Sequence, residues 1–412
     1  MARVEALAGV RVVELTAAMA GPWIGRFMAA CGAEVIRVES RRHPDVVRLY
    51  VPPRTPELGI QPRASPWFTD WNAGKRFVAL DLARPRAVDL FLRLVARADV
   101  VVSNYSPGVM ARLGLDYESL RRANEKIVVF ATSGYGDSGP CSSYVTWGPN
   151  IEALSGLATL SGFPHRECAI TQYAYPDVLT ALHGLFAVMC ALDHRRRTGQ
   201  GQYIDLAQLE TTVAAVGDVM MEQLANGREP ARLGNRSHAF APHGCYRCQG
   251  DDRWCVIAVR DEAEWIRFCD VIGEPAWKDD PRFSDRARRL AHGEELDELI
   301  ERWTAARPDY AVMALLQGAG IAAGVVQHVG DLAREDRQLA ARHFFEEVEH
   351  LQKGTVVATG VPLGLTATPP HTGRSGAAVG EDNDHVFGTL LGMSAEEIRA
   401  CIDDGAIESA DG

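Results

Sequence analysis

The chain has 412 residues, 47% of them hydrophobic and 24% charged, an ordinary globular composition with length for two or three units. Its 43 Lys and Arg stand against 54 Asp and Glu, a formal charge of −11, which disfavours a general nucleic-acid binder because phosphate backbones select positive fields. No run reaches the roughly 18 uninterrupted apolar residues of a membrane span, and Met1-Ala2-Arg3-Val4-Glu5 lacks a signal-peptide layout, so a cytoplasmic protein with no membrane partner is expected.

Short β-rich runs alternate with helical patterns over the first 135 residues, the signature of parallel βαβ units. Strands are predicted at Val10 to Leu15, Glu34 to Glu39, Phe77 to Asp81, Asp99 to Ser103 and Ile127 to Thr132, with helices from Trp23 to Cys31, Pro85 to Ala96 and Tyr117 to Asn124. The stretch from Arg41 to Asp70, rich in Pro and Arg, has no clean period and is expected to be a functional loop or lid. Residues 177 to 197 carry a strong helical pattern that stops at Arg195-Arg196-Arg197-Thr198-Gly199, where basic residues and glycine suit a helix C-terminus. A strand from Gln202 to Leu206 and one apolar helix from Leu209 to Leu224 follow.

Composition shifts after Asn226. A strand at Trp254 to Val259 and amphipathic segments near Glu262 to Ile272 and Glu295 to Thr304 place a smaller α+β domain at residues 226–335, between a Rossmann-like doubly wound domain at 1–225 and a C-terminal return to it at 336–412. Strand-like Gly354 to Gly360 and a helix near Ser394 to Ile402 fall in the return. The nine cysteines, with Cys31, Cys190, Cys255 and Cys269 among apolar residues, read as reduced buried thiols. Cys245-x-x-Cys248 lacks the second ligand pair of a structural zinc site, so no metal is expected.

The turn after the first strand, Thr16-Ala17-Ala18-Met19-Ala20-Gly21-Pro22, has no G-x-G-x-x-G, which disfavours nicotinamide binding, and no P-loop, H-E-x-x-H or G-x-S-x-G occurs elsewhere. Chemistry must rest on ordinary side chains. Asp177 follows Pro176 at the start of the longest apolar helix, where the helix N-terminus favours a carboxylate; it reads either as a helix cap or as a covalent nucleophile toward an electrophilic carbonyl. Arg37, Arg41, Arg42, Lys75, Arg76 and Arg112 gather near predicted strand ends, as solvated surface charge or as a phosphate site. His183, Asp193 and His194 share the Asp177 helix and carry no pattern of their own.

The chain resembles the class III coenzyme A transferases, the carnitine dehydratase and bile-acid-inducible protein F family that includes formyl-CoA:oxalate CoA-transferase. The matching motifs are Leu7-Ala8-Gly9-Val10-Arg11-Val12-Val13-Glu14-Leu15, Ala20-Gly21-Pro22, Gly32-Ala33-Glu34-Val35-Ile36-Arg37-Val38-Glu39, Asn72-Ala73-Gly74-Lys75-Arg76, Asn104-Tyr105-Ser106-Pro107-Gly108, Thr198-Gly199-Gln200-Gly201-Gln202 and Gly380-Glu381-Asp382-Asn383-Asp384-His385. The resemblance implies two chains threaded as an interlocked dimer, and Asp177 as the nucleophile that attacks an acyl-CoA thioester to give a mixed anhydride and then an aspartyl-CoA thioester. Coenzyme A is then a substrate moiety rather than a consumed cofactor, and the partners are an acyl-CoA and a carboxylic acid acceptor. It further implies that Arg37 and Ser40 hold the adenosine end, that Asn104, Tyr105 and Arg112 line the nucleotide and pantetheine path, and that Ala17, Met19 and Ala20 border the thioester.

Ala17 and Met19 stand where the oxalate-specific type has polar His and Gln, so an acceptor with an apolar body, such as an aromatic or branched acid with succinyl-CoA as donor, is expected. An α-methylacyl-CoA racemase is the alternative, but Thr146-Trp147-Gly148-Pro149-Asn150-Ile151 offers no acid or base where that reaction needs one. One subunit of a heteromeric transferase is the other alternative, with a homologous partner replacing the second identical chain.

Overall fold

Val12, Val13, Val35, Ile36, Val100, Val101, Val102 and Val128 are β-branched and carry almost no exposed surface, the pattern of strands covered on both faces. They belong to a six-stranded sheet whose pairings are all parallel, made of β1 (Arg11–Leu15), β2 (Glu34–Glu39), β3 (Arg76–Ala79), β4 (Val100–Ser103), β5 (Val128–Ser133) and β6 (Tyr203–Ala207). The order is β3-β2-β1-β4-β5-β6, the doubly wound arrangement, and the chain direction across the sheet reverses between β1 and β4. The structure, a computed structural model, describes residues 4–49, 65–350 and 354–409.

Helices cover both faces. Leu90, Phe91 and Leu94 from the helix Pro85–Val95 pack with Val13, Leu15, Ile36 and Val101, joined by Val386, Phe387 and Cys401 from the C-terminal segment. Ile24 and Met28 of the helix Ala20–Ala30 pack on the other face with Ala181, Val188 and Ala191 of the helix Tyr175–Thr198, against Val12, Val35, Val100 and Phe130. This long helix buries small residues, Thr180, Ala181, Gly184, Val188 and Ala191, and turns Leu182, Phe186 and Met189 outward. Gly184 is what permits the approach, since a Cβ there would lie 2.6 Å from the Phe130 ring and 2.8 Å from Ile24. By length and composition the helix is apolar enough to cross a membrane, although a third of its apolar window is buried in the protein.

The outer edge of β3 is closed by side chains and backbone N–H groups of the C-terminal segment rather than by a seventh strand. Asp382 accepts from the Phe77 N–H at 2.9 Å and Asn383 from the Ala79 N–H at 3.0 Å, while the Asp382 N–H donates to the Phe77 carbonyl at 2.9 Å and that of Glu408 to the Ala79 carbonyl at 3.2 Å.

Two compact units result. One runs to Ala158 and comprises also Ile170–Ala225 and everything from Gln338; the other is Asn226–Arg337 with the short segment Thr159–Ala169, which sequence reading had left with the first. The second unit folds an antiparallel sheet, β7 (His243–Arg247), β8 (Trp254–Ala258) and β9 (Ala322–Val325), under the helices Glu262–Ile272, Gly293–Ala305 and Asp309–Gly318. Its core gathers Tyr246, Ile257, Trp265, Phe268, Leu296, Ile300 and Val312.

Three expectations change. The helix drawn from Leu209 to Leu224 is two, Gln208–Ala215 and Gly217–Asn226, interrupted at Val216. The segment from Arg41 to Asp70 holds short helices at Val46–Leu49 and Pro66–Trp71, the second capped by Ser65 and begun by Pro66, and its middle lies outside the described residues. Cys190 is exposed on the outer side of the long helix rather than buried, and Cys31 is half-buried.

Candidate active site

Asp177 is the third residue of its helix, and Ala174, which precedes that helix, contributes no side-chain cap. It is therefore not the N-cap itself. Burial acts to raise the pKa of its half-buried carboxyl, and the Gln208 side chain, the Ala20 backbone N–H and its own N–H act the other way. Ala20 opens the helix Ala20–Ala30 and Gln208 opens the helix Gln208–Ala215, so the groups that favour the anion belong to the first turns of three helices. Gly148 stands on a further side, where a Cβ would lie 3.2 Å from Asp177 Oδ2 and 3.4 Å from Ala174. Donors and dipoles of this kind favour the anion, yet burial outweighs them and pushes the Asp177 carboxyl up to about 6. The group is mainly ionised at neutral pH and more basic than an ordinary aspartate, a suitable state for attack on a carbonyl carbon.

The turn that delivers the Ala20 N–H is held atom by atom. Glu14 and Arg37 are register partners on β1 and β2, and both are wholly buried. Arg37 donates to the Thr16 carbonyl at 2.9 Å and to Asn72, and pairs with Asp45 at 2.5 Å. The other Asp45 oxygen accepts from the Ala18 N–H at 3.1 Å, fixing Ala18 at φ +56, a left-handed conformation that a residue with a Cβ adopts only when its surroundings impose it. Lys75, also wholly buried, donates to Glu14 at 2.6 Å, to the Pro22 carbonyl at 2.7 Å and to Asn72 at 2.9 Å, and burial pulls its ammonium down to about 8. Asn104, just beyond β4, closes a reciprocal amide pair with Ala17, at 2.8 Å to its N–H and 2.7 Å from its carbonyl. The strand-order reversal between β1 and β4 is thus stitched by Asn104.

The sequence model of CoA-transferase family III matches residues 7–383, and so spans both units and the whole of this site. The chain belongs to CoA-transferase family III. It is 30% identical over 385 residues to the succinate–glutarate CoA-transferase of Agrobacterium fabrum, covering 93% of this chain and 95% of that one. It is also 30% identical to the succinyl-CoA–D-citramalate CoA-transferase of Chloroflexus aurantiacus, over 94% of this chain and 95% of that one. Among solved structures, a CaiB/BaiF family protein from Brucella suis superposes with a TM-score of 0.87 at 29% identity, covering 94% of this chain and 99% of that chain.

Within this family III chain the residues singled out from sequence separate into three groups. Ala17, Met19, Ala20, Arg37, Lys75, Asn104 and the half-buried Tyr105, whose hydroxyl burial pushes up, gather around the carboxyl ends of β1, β2 and β4. Arg37 and Lys75 do so from inside, with no exposed surface, and their hydrogen bonds go to the turn and to the carboxylates beside it. Ser40 lies just past the end of β2 and gives its hydroxyl to Glu408 at 2.9 Å. Arg112 is exposed on the short helix Val109–Arg112. Arg76, which starts β3, points away from this end of the sheet, to Glu34 at 3.3 Å and Asp382 at 3.2 Å, whereas the side chain of Lys75 beside it reaches inward to Glu14.

Sequence reading passed over Gln208 and Gly148. Gln208 sits in the strand-to-helix turn after β6, a position that ligand-facing residues occupy in doubly wound sheets, whereas nothing in the sequence around Gly148 signals its neighbour. Among the described residues no cluster of metal-ligating side chains occurs, and Cys248 and Cys255, with thiols pushed up by burial to about 11 and about 12, line the second unit's core. Glu152, the acid nearest the racemase-type position, is buried and accepts from the Thr171 N–H at 2.9 Å and its hydroxyl at 2.8 Å.

Proposed function

We propose that Asp177 is the covalent nucleophile of CoA transfer from an acyl-CoA to a free carboxylic acid. The observation that carries this reading is a half-buried carboxylate in the first turn of the long helix, open to Gly148 on one side and with no cation among the groups that shift its acidity. A neighbouring Lys or Arg would hold the charge in a tight pair and blunt attack; neutral neighbours leave it reactive.

One Asp177 oxygen attacks the thioester carbonyl, the C–S bond breaks and the thiolate leaves with the electron pair, giving a mixed anhydride. The thiolate returns to the aspartyl carbonyl and expels the donor acid as carboxylate, leaving an aspartyl-CoA thioester. The acceptor carboxylate attacks that thioester, its C–S bond breaks to release the thiolate and leave a second mixed anhydride, and return of the thiolate to the acceptor's acyl carbon frees Asp177 as carboxylate. No proton is gained or lost over the cycle, which suits a site without a general acid.

Succinyl-CoA is the proposed donor, in keeping with the two relatives named for succinate or succinyl-CoA. An acceptor with an apolar body fits the apolar Ala17 and Met19 beside the Ala20 N–H. A second copy of the chain, or a homologous partner, is proposed to cover Leu182, Phe186 and Met189 on the helix Tyr175–Thr198 and Leu224 on the helix Gly217–Asn226, four exposed apolar side chains. The test is incubation with succinyl-CoA, trapping with hydroxylamine and peptide mass spectrometry. Thioester-dependent hydroxamate on the Asp177 peptide is expected; CoA exchange that survives Asp177→Asn overturns the mechanism.

A further inference from the structure

We infer that Glu408 is a positioning residue for the nucleotide end of the CoA substrate: from the C-terminal segment its carboxylate fixes the turn that leaves β2, and that turn receives the phosphorylated ribose of an acyl-CoA. This rests on the chain acting on acyl-CoA, as proposed above.

The C-terminal segment reaches the ligand end of the sheet by a short antiparallel run. Leu80, just past β3, pairs with Ile407, the Asp81 N–H donates to the Ala406 carbonyl at 3.1 Å, and the Glu408 N–H donates to the Ala79 carbonyl at 3.2 Å. Ala406 and Ile407 are buried, and the Asn383 amide donates to the Glu408 carbonyl at 2.9 Å. The backbone of this run is thus anchored without help from the Glu408 side chain. That side chain reaches past the end of β3 to the end of β2, where one oxygen accepts from the Ser40 hydroxyl at 2.9 Å and the other from the Arg41 N–H at 2.6 Å. The Ser40 hydroxyl in turn accepts from the Arg42 N–H at 3.1 Å, and the Ser40 carbonyl from the His43 N–H at 3.2 Å, which closes Ser40–His43 as a tight turn. A carboxylate that uses both oxygens in this way is a strong tie, because each bond is assisted by its charge.

Position and charge point to the ligand. In a doubly wound sheet a nucleotide lies across the carboxyl ends of the strands, with its ribose at the end of the second strand and a nearby arginine for a phosphate on that ribose. Coenzyme A ends in such a phosphorylated ribose. Beside the Ser40–His43 turn, Arg42 and Arg84 are exposed and share one buried carboxylate, Asp81, at 3.2 and 3.7 Å, so two guanidinium groups meet a single acid and keep N–H donors for a phosphate. Asp404, from the same C-terminal segment, pairs with Arg86 at 2.8 Å.

The sign of the effect separates positioning from direct contact. A carboxylate that merely lay near the phosphates would repel them, and its removal would tighten binding. A carboxylate that orders the turn does the opposite: without it the Ser40 and Arg41 donors lose their acceptor, the turn loosens, and the ligand must order it on binding.

The test is calorimetric titration of the full-length protein with CoA, which needs neither donor nor acceptor acid. Glu408→Gln keeps the shape and the backbone anchors but turns an amide N–H toward one of the two donors, and is expected to raise the CoA dissociation constant about tenfold. Glu408→Asp keeps the charge at shorter reach; it is expected to raise the constant about threefold and serves should the glutamine variant fail to fold. In exchange between succinyl-CoA and labelled succinate, Glu408→Gln should raise KM for the thioester by a similar factor with kcat nearly unchanged. With succinyl-pantetheine, which lacks the nucleotide, the variant should match wild type. CoA binding that is unchanged or tighter in both variants overturns the assignment, and so does an equal loss on the CoA and pantetheine thioesters, the mark of a general defect in the fold. If the wild type binds no CoA, the reading of the chain as acting on acyl-CoA falls and this inference with it; if wild type and Glu408→Gln bind CoA alike, that reading stands and Glu408 alone falls.

Discussion

Replacing Asp177 by asparagine should make the protein more stable as it destroys activity. Burial raises the carboxyl from the ordinary aspartate value of 3.8 to about 6, so the folded state binds this proton more tightly than the unfolded chain. For an acid shifted upward, the cost is present above the folded midpoint, where both states are ionised, and vanishes below the unfolded one. A shift of about two units corresponds to about 3 kcal/mol at pH 7.5, shrinking to about 1.5 kcal/mol at pH 5, where the folded carboxyl is mostly protonated. Asparagine keeps the shape without a charge to desolvate. Urea denaturation of wild type and Asp177→Asn, followed by tryptophan fluorescence at the two pH values, should show the variant more resistant at both and its advantage larger at pH 7.5. An advantage that is absent, or that grows toward acid, refutes the claim that burial governs this carboxylate. In the wild type, exchange rate should rise with pH through about 6 and level above it, following the ionised fraction.

Gly148→Val should cut kcat in the CoA exchange assay by at least tenfold while leaving the circular dichroism spectrum unchanged, because even a Cβ would sit 3.2 Å from Asp177 Oδ2. Arg37→Met should cost about 3–5 kcal/mol in chemical denaturation, since it leaves Asp45 buried without its cation and frees the Thr16 carbonyl. Gly184→Ala should destabilise by about 1–3 kcal/mol, measured the same way, as the new methyl meets Phe130 at 2.6 Å and must push the long helix off the sheet.

What the sequence disclosed follows from how local the cause was. The strand Glu34–Glu39 and the helix Glu262–Ile272 matched their predicted bounds because period and flanking residues act within a few positions. The break at Val216 went unread although Gly217 follows it, because the apolar pattern of Leu209 to Leu224 runs on through a single glycine. In the site, Asp177 was visible because proline and an apolar run frame it, but its acidity was expected to be governed by its helix N-terminus, and burial, which depends on neighbours far along the chain, wins. Arg37 and Lys75 looked like basic residues at strand ends. The carboxylates that absorb them, Glu14, Glu39 and Asp45, come together only once β1 and β2 pair. Gln208 was one residue from a predicted helix, and its influence on Asp177 acts between residues far apart in the chain.

The sealed edge of β3 has a consequence for how the protein must be made. Its backbone groups are answered by Asp382, Asn383 and Glu408, which leave the ribosome well after all six strands. A nascent chain that has already assembled all six strands therefore carries an open parallel edge, available to any other unfinished chain on the same message. Shielding by a chaperone, or pairing with a neighbouring nascent copy, would be needed during that interval, and a stop codon ahead of Asp382 would yield aggregate rather than a truncated enzyme.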